Sequence, residues 1–356
     1  MADFSACEIR EETVPVLQPG ELLVEIEHLA LTANTLTYAA MGDELGYWAL
    51  FPASAPGLGR IPAWGHGRVL HSAVDGVGTD VRLFGLWPMA SHAILRGRSS
   101  RLGLRETSPH RQRLNPVYNQ YALSPPAQGE AAELRALFHP LFVTSFVLSR
   151  YLDEHDYFGA SELAIVSASS KTALGTAFLV NGTRRLVGLT SNRNAPWLTQ
   201  TRLYDTVLPY GNRHGLRDVE RCLIVDFSGD RALVEAVSAD LGHRCAGRIH
   251  VGATHGGSVG QGATPNDVGD QLFSGPQQIE RYAAEWGPME FDHRLQRALA
   301  AFTAALRPSF TLRHGDGADG MALAYRELQQ GRVPGSTLLI ARPVPPALEA
   351  VAEAQS

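Results

Sequence analysis

The sequence of 356 residues is poor in cysteine: Cys7, Cys222 and Cys245 are its three, and they are scattered. An odd, sparse set argues against a disulfide framework and fits a reducing compartment, so a cytoplasmic location is expected. Long runs of one charge are missing too. Against 36 Asp and Glu stand 31 Lys and Arg, for a formal net charge of −5. Nucleic acid is therefore not an expected partner. No apolar run reaches the ~18 residues that a membrane span needs. The opening MADFSACEIREE is polar and acidic, unlike a signal peptide. No membrane partner is expected. What is present is ordinary for a globular chain: 44% hydrophobic and 19% charged residues. The length suits about two domains.

The first third reads as β-rich. Leu22, Val24 and Ile26 alternate with Leu23, Glu25 and Glu27 after the Pro19-Gly20 turn, the pattern of a half-buried strand. A short helix or loop is expected over Ala33–Asp43, and strands near Gly67–Ser72 and Val117–Leu123. Residues 97 to 116 form a polar loop with five Arg between 98 and 113, read as a solvated face. Apolar spacing over 129–152 predicts a helix that Pro140 kinks or splits.

From Leu163 the texture changes. Short apolar runs (Leu163–Val166, Leu186–Leu189, Thr206–Leu208, Cys222–Val225, Arg248–Val251) alternate with helical or loop pieces. Such runs suit a parallel sheet covered on both faces. This predicts a doubly wound, Rossmann-type domain. A loop is expected from Gly252 to about Gly275, then two helices, and finally a strand, a helix and a last strand at Thr337–Ala341 that returns to the N-terminal unit.

Leu163–Leu179, LAIVSASSKTALGTAFL, reads strand, tight loop, helix. A helix N-terminus suits phosphate, and Ser169, Ser170, Lys171 and Thr172 stand there. The usual dinucleotide fingerprint, G-x-G-x-x-G, is incomplete: only Gly175 is kept, with Ser167, Ala168 and Ser169 in place of the early glycines. After the second run come Ser191, Asn192 and Arg193, with no acid for a ribose 2′-OH. Arg193 can instead hold a phosphate through two parallel hydrogen bonds. NADPH is thus expected over NADH. Strand ends also place Tyr210, Phe227, Ser228, Gly252, Thr254 and His255 near the cofactor. Gly256-Gly257-Ser258-Val259-Gly260 matches a nucleophile elbow, but a poor helix follows it.

Taken in order, PGELLVEIEHLALTANTLTY at 19–38, the run of apolar strands, and a tail of helix, GRVPG and strand resemble the medium-chain dehydrogenase/reductase superfamily. PMASH at 88–92, YNQY at 118–121, SASSKTALG at 167–175 and GLTSNRN at 188–194 are similar to its uncharacterised DUF2855 branch. The resemblance implies an α/β fold in which a GroES-like β-rich catalytic domain (1–128) precedes a Rossmann doubly wound parallel-sheet domain (129–300). Residues 301–356 return to the first domain. Zinc members carry a Cys after the first strand, a Gly-His-Glu motif and a four-Cys lobe. Here Asn34 and Gly65-His66-Gly67 stand instead and the lobe is missing, so no metal is expected. The resemblance implies the quinone oxidoreductase and enoyl reductase side of the superfamily. The expected reaction is hydride transfer from NADPH to a conjugated carbonyl: an enone, an enoyl thioester or a quinone. Asn34 and Tyr38 carry over as catalytic candidates, and Tyr121 and Tyr118 are further proton-donor candidates. The expected partner is a small molecule; the resemblance also allows a homodimer and a carrier-protein-tethered substrate. Alternative readings are a non-catalytic NADPH-binding sensor and an accessory reductase of a biosynthetic assembly.

Overall fold

The alternation at the start of the chain resolves as strand β1 (Glu21–Leu31). Leu22, Val24 and Ile26 are buried, while Glu25 and Glu27 pair with Arg68 and Arg82. The computed structural model describes residues 6–124, 129–252 and 268–343. It divides into two compact units, one drawn from Met1–Leu137, Leu312–Val333 and Thr337–Ser356, the other from Phe138–Thr311 and Pro334–Ser336. This division falls at Leu137 and Leu312 rather than at the expected 128/129 and 300/301.

In the first unit β1 is followed by α1 (Ala33–Ala40), β2 (Pro62–Ser72), β3 (Arg82–Pro88), β4 (His92–Ser100), β5 (Gly103–Glu106) and β6 (Gln120–Leu123). They pair antiparallel in the order β1-β2-β3-β6-β5-β4, and β4 pairs back onto β1. The six strands therefore close into a barrel, which removes exposed edges. Leu22, Val24, Val69, Leu83, Trp87, Leu95 and Leu104 belong to its core.

Helix α2 (Glu130–Glu154) runs through Pro140 without a break, so the expected split does not occur. Its length and composition would pass for a membrane span, but 67% of its most apolar window is buried in the protein, as in a core helix.

The second unit winds β7 (Glu162–Val166), α3 (Lys171–Val180), β8 (Arg185–Thr190), α4 (Ala195–Gln200), β9 (Thr206–Pro209), β10 (Cys222–Asp226), α5 (Arg231–Leu241), β11 (Cys245–Val251), β12 (Val268–Phe273), α6 (Gly275–Trp286) and α7 (Pro288–Leu306). The six strands lie parallel in the order β12-β11-β10-β7-β8-β9. Winding starts at β7, moves out to β9, then reverses to β10 on the other side. β7 and β10 are buried along their whole length, which explains the apolar runs Leu163–Val166 and Cys222–Val225 within them; the acids Glu162 and Asp226 stand at their ends. Strand β12 falls where a loop was expected; its Asp270 and Gln271 are polar because they bind Arg248 and Tyr151.

After α7 come β13 (Thr311–Asp316), α8 (Gly317–Gln329) and β14 (Thr337–Arg342). β14 pairs with the second half of β1, Leu29–Leu31 against Leu339–Ala341, on the edge whose first half, Glu21–Glu25, pairs with β4.

Candidate functional site

The loop between β7 and α3 lies at the carboxyl end of the parallel sheet. Ser167 follows β7 with φ at +61°, the left-handed region. Glycine adopts it freely, whereas another residue costs on the order of 1–2 kcal/mol. Ala168 is fully buried; its N–H donates to Leu189 O (2.9 Å) and its carbonyl accepts from the Tyr204 hydroxyl (2.8 Å). Ser170 caps α3, its Oγ accepting from Ala173 N (3.3 Å). Lys171 and Thr172 open the helix, in the turn whose N–H groups have no intrahelical acceptor. Lys171 Nζ donates to Gly335 O (3.4 Å), and burial draws its pKa down to about 8. Gly175 lets α3 pack closely: a Cβ there would lie 2.6 Å from Ser145 Oγ and 3.0 Å from the Phe142 ring.

Residues 191–194 follow β8 beside this loop. Ser191 is half-buried, and Asn192 and Arg193 are exposed. Asn194, not singled out from the sequence, ties the segments together. Its Nδ2 donates to Ser169 Oγ (3.0 Å) and its Oδ1 accepts from Gly335 N (3.2 Å). Thr190 Oγ1 also donates to Ser169 Oγ (3.1 Å), so that hydroxyl is an internal tie. Tyr210, after β9, donates its N–H to Thr190 O (2.8 Å), and its hydroxyl is hydrogen-bonded to Ser167.

On the other side of the reversal, Phe227 N donates to Val166 O (3.2 Å). Asp226 ends β10, buried, and its Oδ1 accepts from Ser228 N (2.7 Å) and Ser228 Oγ (2.6 Å). His250 on β11 stands between two carboxylates: Nδ1 lies 3.2 Å from Asp226 Oδ2 and Nε2 lies 3.3 Å from Asp270 Oδ1. Neutral imidazole has one N–H, whereas imidazolium can donate to both. The hydrogen bond to Asp226, with that to Asp270, raises the His250 pKa. Burial pushes the Asp226 carboxyl up, but the His250 and Ser228 hydrogen bonds outweigh it and leave it below the ordinary range. Sequence reasoning missed Asn194, His250 and Asp270 here; the last two share one signal, a polar residue within a strand, while Asn194 directly precedes α4. Gly252 follows β11 at φ +100°. Thr254, His255 and the Ser258 motif lie outside the described residues.

In the barrel unit, α1 is fixed by a capping box of Thr32 and Thr35. This presents Asn34 half-buried and Tyr38 buried. The Tyr38 hydroxyl accepts from Trp64 Nε1 (2.9 Å) and is hydrogen-bonded to Asn34 and Tyr118. Tyr118 and Tyr47 hydroxyls lie 3.2 Å apart, and the three tyrosine rings meet edge to face. Burial raises the pKa values of Tyr38 and Tyr118 far above the ordinary phenol value, so both stay protonated. The cluster can donate hydrogen bonds to a developing negative charge but does not act as phenolate.

Tyr121 does not join it. It is 1% exposed, its ring covers Gly85, and its hydroxyl donates to Leu86 O (2.7 Å) and accepts from Arg111 Nη1 (3.0 Å). The expectation of Tyr121 as a proton donor is corrected to a packing role, and Tyr118 is the tyrosine that meets Tyr38. His66 also points elsewhere, with Nδ1 3.0 Å from His28 Nε2. A Cβ at Gly67 would lie 2.5 Å from Val24 Cγ1 and one at Gly65 2.1 Å from His28 O, so β1 leaves no room for a glutamate in this Gly-His-Gly.

The sequence matches the family model described as a protein of unknown function, DUF2855, over residues 29–334. The chain belongs to the DUF2855 family. No protein of curated function matches this DUF2855 sequence. Its fold, however, matches several solved structures. CurA from Vibrio vulnificus, solved in complex with NADPH, superposes with a TM-score of 0.60 at 12% identity, covering 95% of this chain and 94% of CurA. A putative NADPH:quinone reductase from Bacillus thuringiensis gives 0.56 at 12% identity, over 94% and 93%. A thermostable alcohol dehydrogenase from Pyrobaculum aerophilum gives 0.53 at 14%, over 92% and 93%. The DUF2855 chain thus shares the fold of medium-chain dehydrogenases and reductases.

Proposed function

We propose that this protein is an NADPH-dependent, zinc-independent oxidoreductase that reduces a conjugated carbonyl compound, an enone, enoyl thioester or quinone. In this reading the parallel sheet is a Rossmann dinucleotide-binding domain and the closed barrel a GroES-like catalytic domain. The reversal of winding between β7 and β10 carries the reading. Doubly wound sheets bind dinucleotides at that point, outside the carboxyl ends of the strands. The residues gathered there suit the cofactor. The first turn of α3, with Ser170, Lys171 and Thr172, suits the pyrophosphate. Arg193, exposed beside Asn192 and with no acid in 191–194, suits a 2′-phosphate. CurA, solved with NADPH, supports the same choice.

When bound, NADPH supplies the hydride. The chain's part is to bind, orient and hold protons. Lys171, drawn down to about 8, takes up its full charge as an anion approaches. Tyr38 and Tyr118, held as phenols, donate toward the substrate oxygen, with Asn34 fixing the Tyr38 hydroxyl. An amide at Asn34 and a His66 turned to His28 do not make the three ligands that catalytic zinc needs, which supports the zinc-independent reading.

Titration with NADPH and NADH, followed by nicotinamide fluorescence, tests the proposal. NADPH is expected to bind more tightly. Binding of neither overturns the reading, and equal affinity removes the role given to Arg193 alone.

A further inference from the structure

The arginines of the barrel unit are paired almost by habit. Arg60 holds Glu12, Arg68 holds Glu25 and Asp80, Arg82 holds Glu27, Arg96 holds Glu21, and Arg342 holds Glu133. The β4–β5 hairpin departs from this. Arg98 and Arg105 are direct cross-strand partners in its register. Such partners project from the same face with Cβ atoms about 4.5–5.5 Å apart, and like charges so placed destabilise a hairpin. Among the described residues neither guanidinium has a carboxylate or other hydrogen-bond partner, and both are exposed.

The two arginines line a cavity of about 540 Å³ together with Ser99, Thr107, Gln112 and Glu106. Glu106 does not neutralise them. It is buried and committed elsewhere, accepting from Ser108 N (3.1 Å) and the Ser108 hydroxyl (2.5 Å), with Arg111 Nε 3.7 Å away. The Arg-rich 97–116 segment is thus more than a solvated face. It presents two unneutralised forks beside a hollow that Leu114 and Pro116 line together with Gln112 and Asn119, in a chain whose formal net charge is −5.

We propose that this hairpin cavity is a binding site for a small dianion, a phosphate ester or a dicarboxylate, held between Arg98 and Arg105. A dianion answers what the fold leaves open. Each guanidinium can meet it through two parallel hydrogen bonds, and its charge converts the cross-strand repulsion into attraction. Gln112 supplies a neutral amide donor beside the charged group, while the Ser99 and Thr107 hydroxyls donate to Gly76 O and Arg96 O. The cavity volume falls within the range of small-molecule sites. The proposal stands apart from the nucleotide reading, since every residue it uses belongs to the barrel unit.

The test is calorimetric titration of the full chain at constant ionic strength with inorganic phosphate and, separately, with malonate. Saturable binding of one or both is expected, and the stronger of the two names the source of the dianion. Arg98→Gln with Arg105→Gln should weaken that binding at least about tenfold, as two charge-assisted contacts are lost. Arg193→Ala should retain it, which separates the event from a phosphate held where Arg193 is given the 2′-phosphate. Without added anion, the double variant should melt at or above the wild-type temperature because the repulsion is gone. No saturable binding, binding unchanged in the double variant, or a lower melting temperature of that variant without anion would each overturn the proposal.

Discussion

The two units deal with polar groups in opposite ways. The barrel unit closes many of its own into pairs inside the fold: His28 with His66, and Glu133 with Arg342 and His314. The parallel-sheet unit gathers its polar groups at one end, around Ser167–Thr172, Ser191–Asn194 and Asp226–Ser228. Buried pairs are held by the absence of water, so losing one partner strands the other. Of the strand-end groups, Asn192 and Arg193 are exposed. The same residue type shows the contrast. Burial holds His28 down to about 4, as neutral imidazole, whereas the carboxylates of Asp226 and Asp270 raise His250. Depth sets the charge of the first and partners that of the second.

This contrast predicts that interior changes act on stability and strand-end changes on binding. The largest effect is expected for Glu133→Ala. The carboxylate is 4% exposed and serves Arg342 and His314, which are 40% and 26% exposed, so its loss should destabilise the chain by about 1.5–3 kcal/mol in urea unfolding. NADPH affinity of the molecules still folded should not change, and a parallel loss of affinity would break the comparison. Next is Arg193→Ala, which should weaken NADPH binding by about 1.5–3 kcal/mol, with NADH nearly unaffected. Its unfolding free energy should stay within about 0.5 kcal/mol of wild type.

The two histidines should give opposite pH limbs. The folded pKa of His28 is depressed, so its contribution is present above the ordinary value near 6.5 and is lost as pH falls toward about 4. The folded pKa of His250 is raised, so its contribution is full below the ordinary value and is lost as pH rises through the folded one. Chemical denaturation across pH should show His28→Gln flattening the acid limb and His250→Gln the alkaline limb; the reverse would refute the assignment. The smallest effect concerns Lys171. NADPH affinity should decline as pH rises through about 8, and in Lys171→Met that decline should vanish.

Sequence pattern carried much of the fold because burial writes itself into residue type. The apolar alternation of β1 and the uninterrupted runs of β7 and β10 reflect one covered face and two. Strand β12 was illegible for the converse reason: Asp270 and Gln271 look like loop residues until Arg248, His250 and Tyr151 are brought beside them. Tyr118 and Tyr121 look interchangeable in YNQY. A turn at Pro116–Asn119 leaves Tyr118 facing Tyr38, while the register of β6 sends Tyr121 over Gly85 into the barrel. The positive φ of Ser167 could not be read at all, since its residue type gives no hint of it. Asn194 was hidden by its neighbour: Arg193 drew the phosphate argument, and the adjacent amide holds the loop in place.

The double use of β1 bears on the order in which the chain is made. Its first half takes β4, near in sequence, but its second half waits for Leu339–Ala341. Between them the second unit runs unbroken from Phe138 to Thr311. A ribosome therefore releases the whole parallel sheet before it releases the strand that completes the first. The six barrel strands leave the ribosome first, and the edge that β14 adds to β1 forms last, through a contact of very long sequence separation.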